Sequence, residues 1–311
     1  MNPQHDRGGL RVLRSNPFAL LQDAGRFGVR HLGVTQGGAL DWISLRWANW
    51  LLGNDLNAAV VEITLGNLSL CCERDGELAL AGADLGATLD GQPLAPWRSF
   101  RVSKGQRLDF VQPVNGARAY LAAPGGFLAE PVLGSRATVA REALGGLHGD
   151  GQALAQDDQL DWQGQAGTPR QIPTGRIPRF TPSPRLELIL GAQIGDFSGQ
   201  SLFDAFNTTW IIDARADRMG VRLNGPQLQC QHSAMVSEGI PLGAVQVPAD
   251  GQPIILLNDR QTIGGYPRLG ALTPQAVARL AQCLPGETLQ LVPSQQTSAQ
   301  QRHRQLLTQW Q

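Results

Sequence analysis

Lysine is almost missing from this chain: of 26 basic residues only Lys104 is lysine, and the rest are arginine. A Walker-type phosphate loop ends in Gly-Lys-Ser/Thr because its lysine must reach the β- and γ-phosphates. Lys104 stands in Ser103-Lys104-Gly105 without a glycine-rich lead-in, so that loop is excluded. A Schiff-base or biotinylated lysine would have to be the same residue, and its polar setting between Val102 and Leu108 reads as a solvated turn. Charge is scarce as well, at 17% of residues, with 26 basic against 26 acidic side chains. No basic field exists to hold a polyphosphate backbone, and nucleic acid is not expected as a partner.

The four cysteines, Cys71, Cys72, Cys230 and Cys283, form no Cys-x-x-Cys pair and have no histidine at ligand spacing. That excludes a structural zinc site and reads as buried, reduced thiols. No apolar run approaches the roughly 18 residues of a membrane helix, and the polar start from Met1 to Arg14 lacks an apolar signal core. A soluble cytoplasmic protein without membrane contact is expected. Standard catalytic signatures are absent too: Gly-x-Ser-x-Gly, His-Glu-x-x-His, and Gly-x-Gly-x-x-Gly between a strand and a helix.

What is abundant is glycine, at 37 residues, and proline, at 20. They punctuate short apolar segments that read as strands: 60–65, 68–72, 77–81, 107–111, 117–122, 186–190, 210–213, 254–257 and 288–292. Strands this short and frequent predict a mainly β protein of sandwiches or barrels. Two helices interrupt them. Asp41 caps a stripe of Leu40, Ile43, Trp47 and Leu51 that stops at Gly53, and Thr273-Pro274 starts a stripe of Val277, Leu280, Ala281 and Leu284 that stops at Pro285-Gly286. The Gln-rich tail from Ser294 predicts a terminal helix or a frayed end. The stretch 166–185 is rich in Pro and polar residues, and reads as a linker between a first domain (1–165) and a second (186–311). Asp90-Gly91-Gln92-Pro93 returns as Asp250-Gly251-Gln252-Pro253, a weak repeat that fits two related β domains.

Candidate chemistry sits in four stretches dense in Gly, Asp and Arg, residue types that bring main-chain amides and fixed charge to a small anion. The first runs from Gln22-Asp23-Ala24-Gly25-Arg26-Phe27-Gly28-Val29-Arg30-His31-Leu32-Gly33 through Gly37-Gly38-Ala39-Leu40-Asp41 to Asn49 and Glu62. The second is Asp217-Arg218-Met219-Gly220-Val221-Arg222-Leu223, and the third runs from Ser237-Glu238-Gly239-Ile240 to Gln246. The fourth is Asp259-Arg260-Gln261-Thr262-Ile263-Gly264-Gly265-Tyr266-Pro267.

Together with Ala81-Gly82-Ala83-Asp84, Gly125-Gly126 and Leu133-Gly134-Ser135, in that order, these stretches resemble the allophanate hydrolase subunit 2, or biotin-dependent carboxyltransferase-like, family, nearest to the branch formed by the C subunit of 5-oxoprolinase. Val221 and Ile263 depart from the residue types usual there. The resemblance implies two cyclophilin-like β-barrel domains with a few short helices. It implies work beside the B and A subunits of an ATP-dependent 5-oxoprolinase, which opens the lactam 5-oxo-L-proline to L-glutamate with release of ADP and phosphate. ATP, placed here or in a partner subunit, with Mg2+ on its phosphates, is the cofactor implied. Within that reading Arg218 and Arg222 clamp an anion through their planar forks, Asp259 acts as base or bridging carboxylate, and Glu238 is a second carboxylate. Tyr266 donates from its hydroxyl, Gly264 and Gly265 present amides to an oxyanion, and Gln246, Gln261 and Thr262 read the ring amide. Asp23, Arg26, His31, Asp41 and Asn49 form a secondary candidate site whose bland reading is structural. Two alternatives remain: a carboxyltransferase acting on a urea-like amide with biotin in trans, since no Met-Lys-Met attachment site is present, and a regulatory protein that takes the B subunit as its binding partner.

Overall fold

The computed structural model describes residues 8–165, 170–232 and 234–310. All the strands anticipated above are present, most with an end moved by one to three residues, and Glu77–Ala81 grows to Gly76–Asp84. The protein is mainly β and groups into two compact units. One holds the residues up to Phe27 together with Gly37–Arg179; the other holds Gly28–Gln36 and Phe180–Gln311. The excursion Gly28–Gln36, which sequence reading left in the first domain, thus groups with the second unit. Residues 166–169 of the expected linker lie outside the described residues.

In the first unit two antiparallel sheets share one core. Leu10–Arg14, Leu68–Cys72 and Arg107–Phe110 lie at the centre of a six-stranded sheet; the other sheet runs in the order Ala19–Gln22, Val60–Thr64, Asn115–Ala122, Gly76–Asp84, Arg98–Val102. Alternation assigns the faces. Val61 and Ile63 point into a cluster with Leu21, Leu70, Leu80, Phe110 and Leu121, while Glu62 between them points to the opposite face. Helix α1, Trp42–Leu52, packs against Gly76–Asp84 and Asn115–Ala122 of this sheet, so Val60–Thr64 is buried along its whole length. The α1 signals act as expected: Asp41 Oδ1 accepts from the amides of Ile43 and Ser44, and Gly53 ends the helix at φ +70°. Trp47 is fully buried and meets Trp50 edge-on at 5.3 Å, a core role. Gly38 shows why the approach to this helix needs glycine. It lies at φ +94°, and a Cβ there would come within 2.8 Å of the Ala24 carbonyl.

The second unit contains a closed barrel of seven strands. Their order is Arg185–Leu190, Arg268–Leu272, Ala244–Gln246, Ile254–Leu256, Gly220–Asn224, Trp210–Ile212 and Thr288–Ser294, and the last pairs in parallel with the first. Closure removes free sheet edges. A separate two-stranded ribbon joins Glu238–Gly239 to Ile263–Gly264. Helix α2, Gly199–Asn207, was not anticipated; Ser198 caps it, its hydroxyl accepting from Ser201 N. Helix α3, Pro274–Leu280, has Thr273 as its cap and Pro274 in its first turn, and the tail forms α4, Gln296–Leu307.

All four thiols are free. Cys72 and Cys283 are buried, whereas Cys71 and Cys230 are only half-buried, against the expectation that all four would be core thiols. Burial pushes the Cys72 thiol up to about 11, which keeps it protonated and unreactive. The two Asp-Gly-Gln-Pro segments fold differently. Asp90 and Gly91 both take positive φ, +48° and +77°, and join the hairpin Thr88–Leu89/Gln92–Pro93, as a two-residue mirror-image turn requires. In the second copy only Gly251 has positive φ, and Asp250 receives the amide of Gln252.

Candidate functional site

Much of the motif Asp217–Leu223 is barrel strand. Asp217 Oδ1 accepts from Met219 N at 2.8 Å and Gly220 N at 3.0 Å, making a turn that directs Arg218 onto Asp259. The Arg218 fork grips both carboxylate oxygens, Nε to Oδ2 at 3.0 Å and Nη2 to Oδ1 at 3.1 Å, and Asp259 N donates to the Arg218 carbonyl at 3.0 Å. The side chains are 16% and 8% exposed. Arg222 lies four residues on, about 13 Å along an extended chain, and pairs with Asp250 instead. Its guanidinium holds the Asp250 carboxyl below the usual carboxylate range. The two arginines expected to clamp one anion therefore hold separate carboxylates.

The remaining candidates gather on and beside the two-stranded ribbon. Glu238 is ion-paired with Arg268, which also donates to the Gly239 carbonyl at 3.0 Å, and Glu238 accepts from Gln193 at 3.4 Å. Gly264 faces Glu238 across the ladder, and the Gly265 carbonyl accepts from Met235 N at 2.7 Å. Tyr266 is 46% exposed, beside Ile263 at 60%. Gln246 is the reverse, 2% exposed on a barrel strand, with no hydrogen-bond partner for Nε2 among the described residues. Gly264 leaves space for that amide: a Cβ at Gly264 would come within 3.2 Å of it. Gln261 and Thr262 are half-buried, and their carbonyls accept from Arg30 Nη2 at 3.3 and 3.0 Å.

Sequence reasoning quoted Arg30 and Arg260 within its motifs but gave neither a role. Arg30 stands in the short helical turn Arg30–Leu32 and donates to the carbonyl of Ile240 at 2.9 Å. Arg260, 3% exposed, donates to the same carbonyl from Nε at 3.1 Å and to Leu257 O from Nη1 at 3.1 Å. Neither has an acidic partner among the described residues. Burial, and then the Arg30 cation, push the Arg260 guanidinium's pKa down; burial does the same to Arg30. The signal in the sequence was only the adjacent charged pair Asp259-Arg260; that both are buried, and that Arg260 has no acidic partner among the described residues, shows in the fold alone.

The secondary set does not form one site. Asp23 accepts from Gly25 N at 2.8 Å, Ser135 Oγ at 2.6 Å and Arg136 N at 2.7 Å, while bordering a surface hollow of about 450 Å³ with Asp55, Asn57 and Arg136. Arg26, 1% exposed, is spent on the carbonyls of Val132 and Ala137 at 3.0 and 2.6 Å. Asn49 ties Ala58 O and Asn54, and Asp41 caps α1. Glu62 Oε2 accepts from Leu40 N at 2.9 Å and from the Tyr120 hydroxyl at 2.8 Å, and that hydroxyl accepts from Asp41 N. These side chains hold the first unit together. His31 is exposed and groups with the second unit.

Among the described residues no three His, Cys, Asp or Glu side chains come together to cage a metal ion. No helix there is long and apolar enough to cross a membrane.

Residues 32–293 match the family described as carboxyltransferase domain, subdomain A and B. The chain belongs to this family. Among its relatives is the C subunit of 5-oxoprolinase from Escherichia coli, 38% identical over 294 residues that cover 91% of this chain and 90% of that one. The Haemophilus influenzae protein of the same name is 34% identical and covers 89% of each. The crystal structure of the Kluyveromyces lactis urea carboxylase superposes with a TM-score of 0.92 at 25% identity, covering 99% of this chain but 29% of that larger one. This family member therefore corresponds over about nine-tenths of its length to the bacterial proteins and to one portion of the fungal enzyme.

Proposed function

We propose that this chain is a subunit of a multi-subunit, ATP-dependent 5-oxoprolinase that converts 5-oxo-L-proline to L-glutamate. The observation that carries the reading is the near full-length correspondence with two bacterial proteins named as the C subunit of 5-oxoprolinase. The chemistry sets the requirements. A lactam is a resonance-stabilised amide, so water attacks its carbonyl carbon too slowly without activation. Transfer of the ATP γ-phosphoryl group to the lactam oxygen, with ADP leaving, makes that carbon electrophilic. Water then adds, the ring C–N bond breaks as the nitrogen takes a proton, and a second water displaces phosphate from the resulting acyl phosphate. Such a path needs cationic groups for the substrate carboxylate and shielding from bulk water.

In this reading the ribbon face of the second unit meets substrate. Tyr266 presents its exposed hydroxyl, and Gln246 reads the ring amide. Arg218 and Asp259 hold the 257–260 turn: Asp259, with both oxygens gripped by Arg218, positions its neighbours and is not the base. Nucleotide, with Mg2+ on its phosphates, is bound together with or by the partner B and A subunits. The test is ATP-dependent glutamate formation from 5-oxo-L-proline by this chain mixed with those two proteins. Activity that disappears when this chain is omitted supports the reading; an assembled complex without activity removes it.

Carboxyl transfer to a urea-like amide is a second reading, favoured by the 0.92 TM-score against the urea carboxylase. It requires biotin in trans, because the chain's single lysine, Lys104, stands in Ser103-Lys104-Gly105 and not in a Met-Lys-Met attachment site. Biotin-dependent transfer of carboxyl to urea by the purified chain would select it.

A further inference from the structure

Three guanidinium groups near the strand ends of the second unit, those of Arg218, Arg222 and Arg268, each hold a carboxylate. Arg30 and Arg260 hold none. They share the Ile240 carbonyl, at 2.9 and 3.1 Å, so the two cations are fixed side by side. Main-chain carbonyls orient a guanidinium without neutralising it, and a buried cation lacking a counter-charge is costly. Arg30 Nη1 is buried with no hydrogen-bond partner among the described residues, and so is Gln246 Nε2. Gln246 reaches the same neighbourhood from the barrel, since the position a Gly264 Cβ would occupy lies 2.6 Å from Ile240 Cδ1 and 3.2 Å from Gln246 Nε2. Among the described residues, two cations without an anion and two donors without an acceptor therefore surround one residue, Ile240.

We propose that Arg30, Arg260 and Gln246 form the seat of a small-molecule carboxylate, the guanidinium pair supplying the counter-charge and the Gln246 amide donating to a carbonyl oxygen of the same molecule. A planar fork with an unused N–H suits a carboxylate oxygen. A γ-lactam bearing a carboxylate carries both acceptors, and for that ligand the seat rests on the function proposed above. Gly264 is part of the seat because a side chain there would crowd the amide.

Calorimetric titration of the full chain with 5-oxo-L-proline, 2-pyrrolidinone and inorganic phosphate tests this. The expected result is binding of 5-oxo-L-proline, about 30-fold weaker binding of 2-pyrrolidinone, which lacks the carboxylate, and a similar loss for Arg30→Gln. Arg30→Lys, which keeps the charge without the fork, falls between. Unchanged 5-oxo-L-proline affinity in Arg30→Gln overturns the seat and leaves the proposed function standing. Phosphate bound in preference to 5-oxo-L-proline overturns the carboxylate assignment and counts against that function as well, and no binding by any probe overturns the seat. Each variant's melting temperature is taken without ligand, so that misfolding is not read as lost affinity. Gln246→Met supplies an independent readout. Removing an orphaned donor raises the ligand-free Tm by about 2 °C while weakening 5-oxo-L-proline about tenfold. A lower Tm with unchanged affinity would leave Gln246 a packing role only.

Discussion

In the first unit Glu62 is fully buried and its carboxylate ends in a closed circuit: Tyr120 lies directly across the ladder and donates to it, Leu40 N donates beside it, and the Tyr120 hydroxyl receives Asp41 N. In the second unit Arg30 and Arg260 converge on one carbonyl and meet no acid among the described residues. Arg260 is buried and Arg30 half-buried, yet among the described residues only the first arrangement has its polar groups answered. Burial alone therefore does not mark a site here. What sets the second arrangement apart is that two cations share one carbonyl with no acid beside them among the described residues.

Breaking the closed circuit should give the largest effect. Glu62→Ala strands the Tyr120 hydroxyl and the Leu40 amide and opens a cavity, costing about 3 kcal/mol in denaturant melts, with 5-oxo-L-proline affinity unchanged. A matching loss of affinity would dissolve the distinction between the units. Next comes Asp259→Asn, which removes the carboxylate that the half-buried Arg218 fork grips. A loss of about 2 kcal/mol is expected, with a double-mutant cycle against Arg218→Met showing coupling of about 1 kcal/mol or more. Full glutamate-forming activity in a folded Asp259→Asn variant would confirm a positioning role. Asp41→Ala removes the α1 cap and should cost about 1 kcal/mol, again without touching affinity. The smallest effect belongs to Asp250. Arg222 depresses its pKa in the folded state, so the stabilisation is present above the ordinary carboxylate range near pH 4 and is lost as pH falls through the lowered value. Asp250→Asn should flatten stability against pH only below about pH 4, read by thermal melts between pH 2 and 6.

Local grammar was the legible part of this fold. Asp41 with Gly53, and Thr273 with Pro274, announced two helices because caps act over a few residues. Strand segments showed because apolar runs between turn formers are equally local. Helix α2 escaped notice: it is nine residues long, starts on Gly199 and carries Phe203 exposed at 62%, so no clean stripe announces it. The repeated Asp-Gly-Gln-Pro misled in the opposite direction, since the same letters form a hairpin turn once and an acid partner for Arg222 the second time.

The candidate site divides along the same line. Gln246, Gly264, Gln261 and Thr262 were named from their motifs and do gather near Ile240. Which arginines remain uncompensated was hidden, because pairing joins residues far apart in sequence: Arg218 to Asp259, Arg268 to Glu238, and Arg30 to carbonyls more than 200 positions away. Residue type nominates an anion clamp; only the folded pairing shows which arginine a carboxylate of the chain already engages.

The placement of Gly28–Gln36 has a consequence for how this chain can be divided. The polypeptide passes between the two units three times, after Phe27, after Gln36 and after Arg179. A single cleavage near residue 175 would leave two of those tethers intact and release no independent half. A second half expressed on its own would lack Arg30 and, with it, one of the two cations at Ile240. Gene fission or domain shuffling at the obvious proline-rich boundary would therefore separate the barrel from part of its own site, so that the boundary suggested by composition is not one at which the chain can be inherited in pieces.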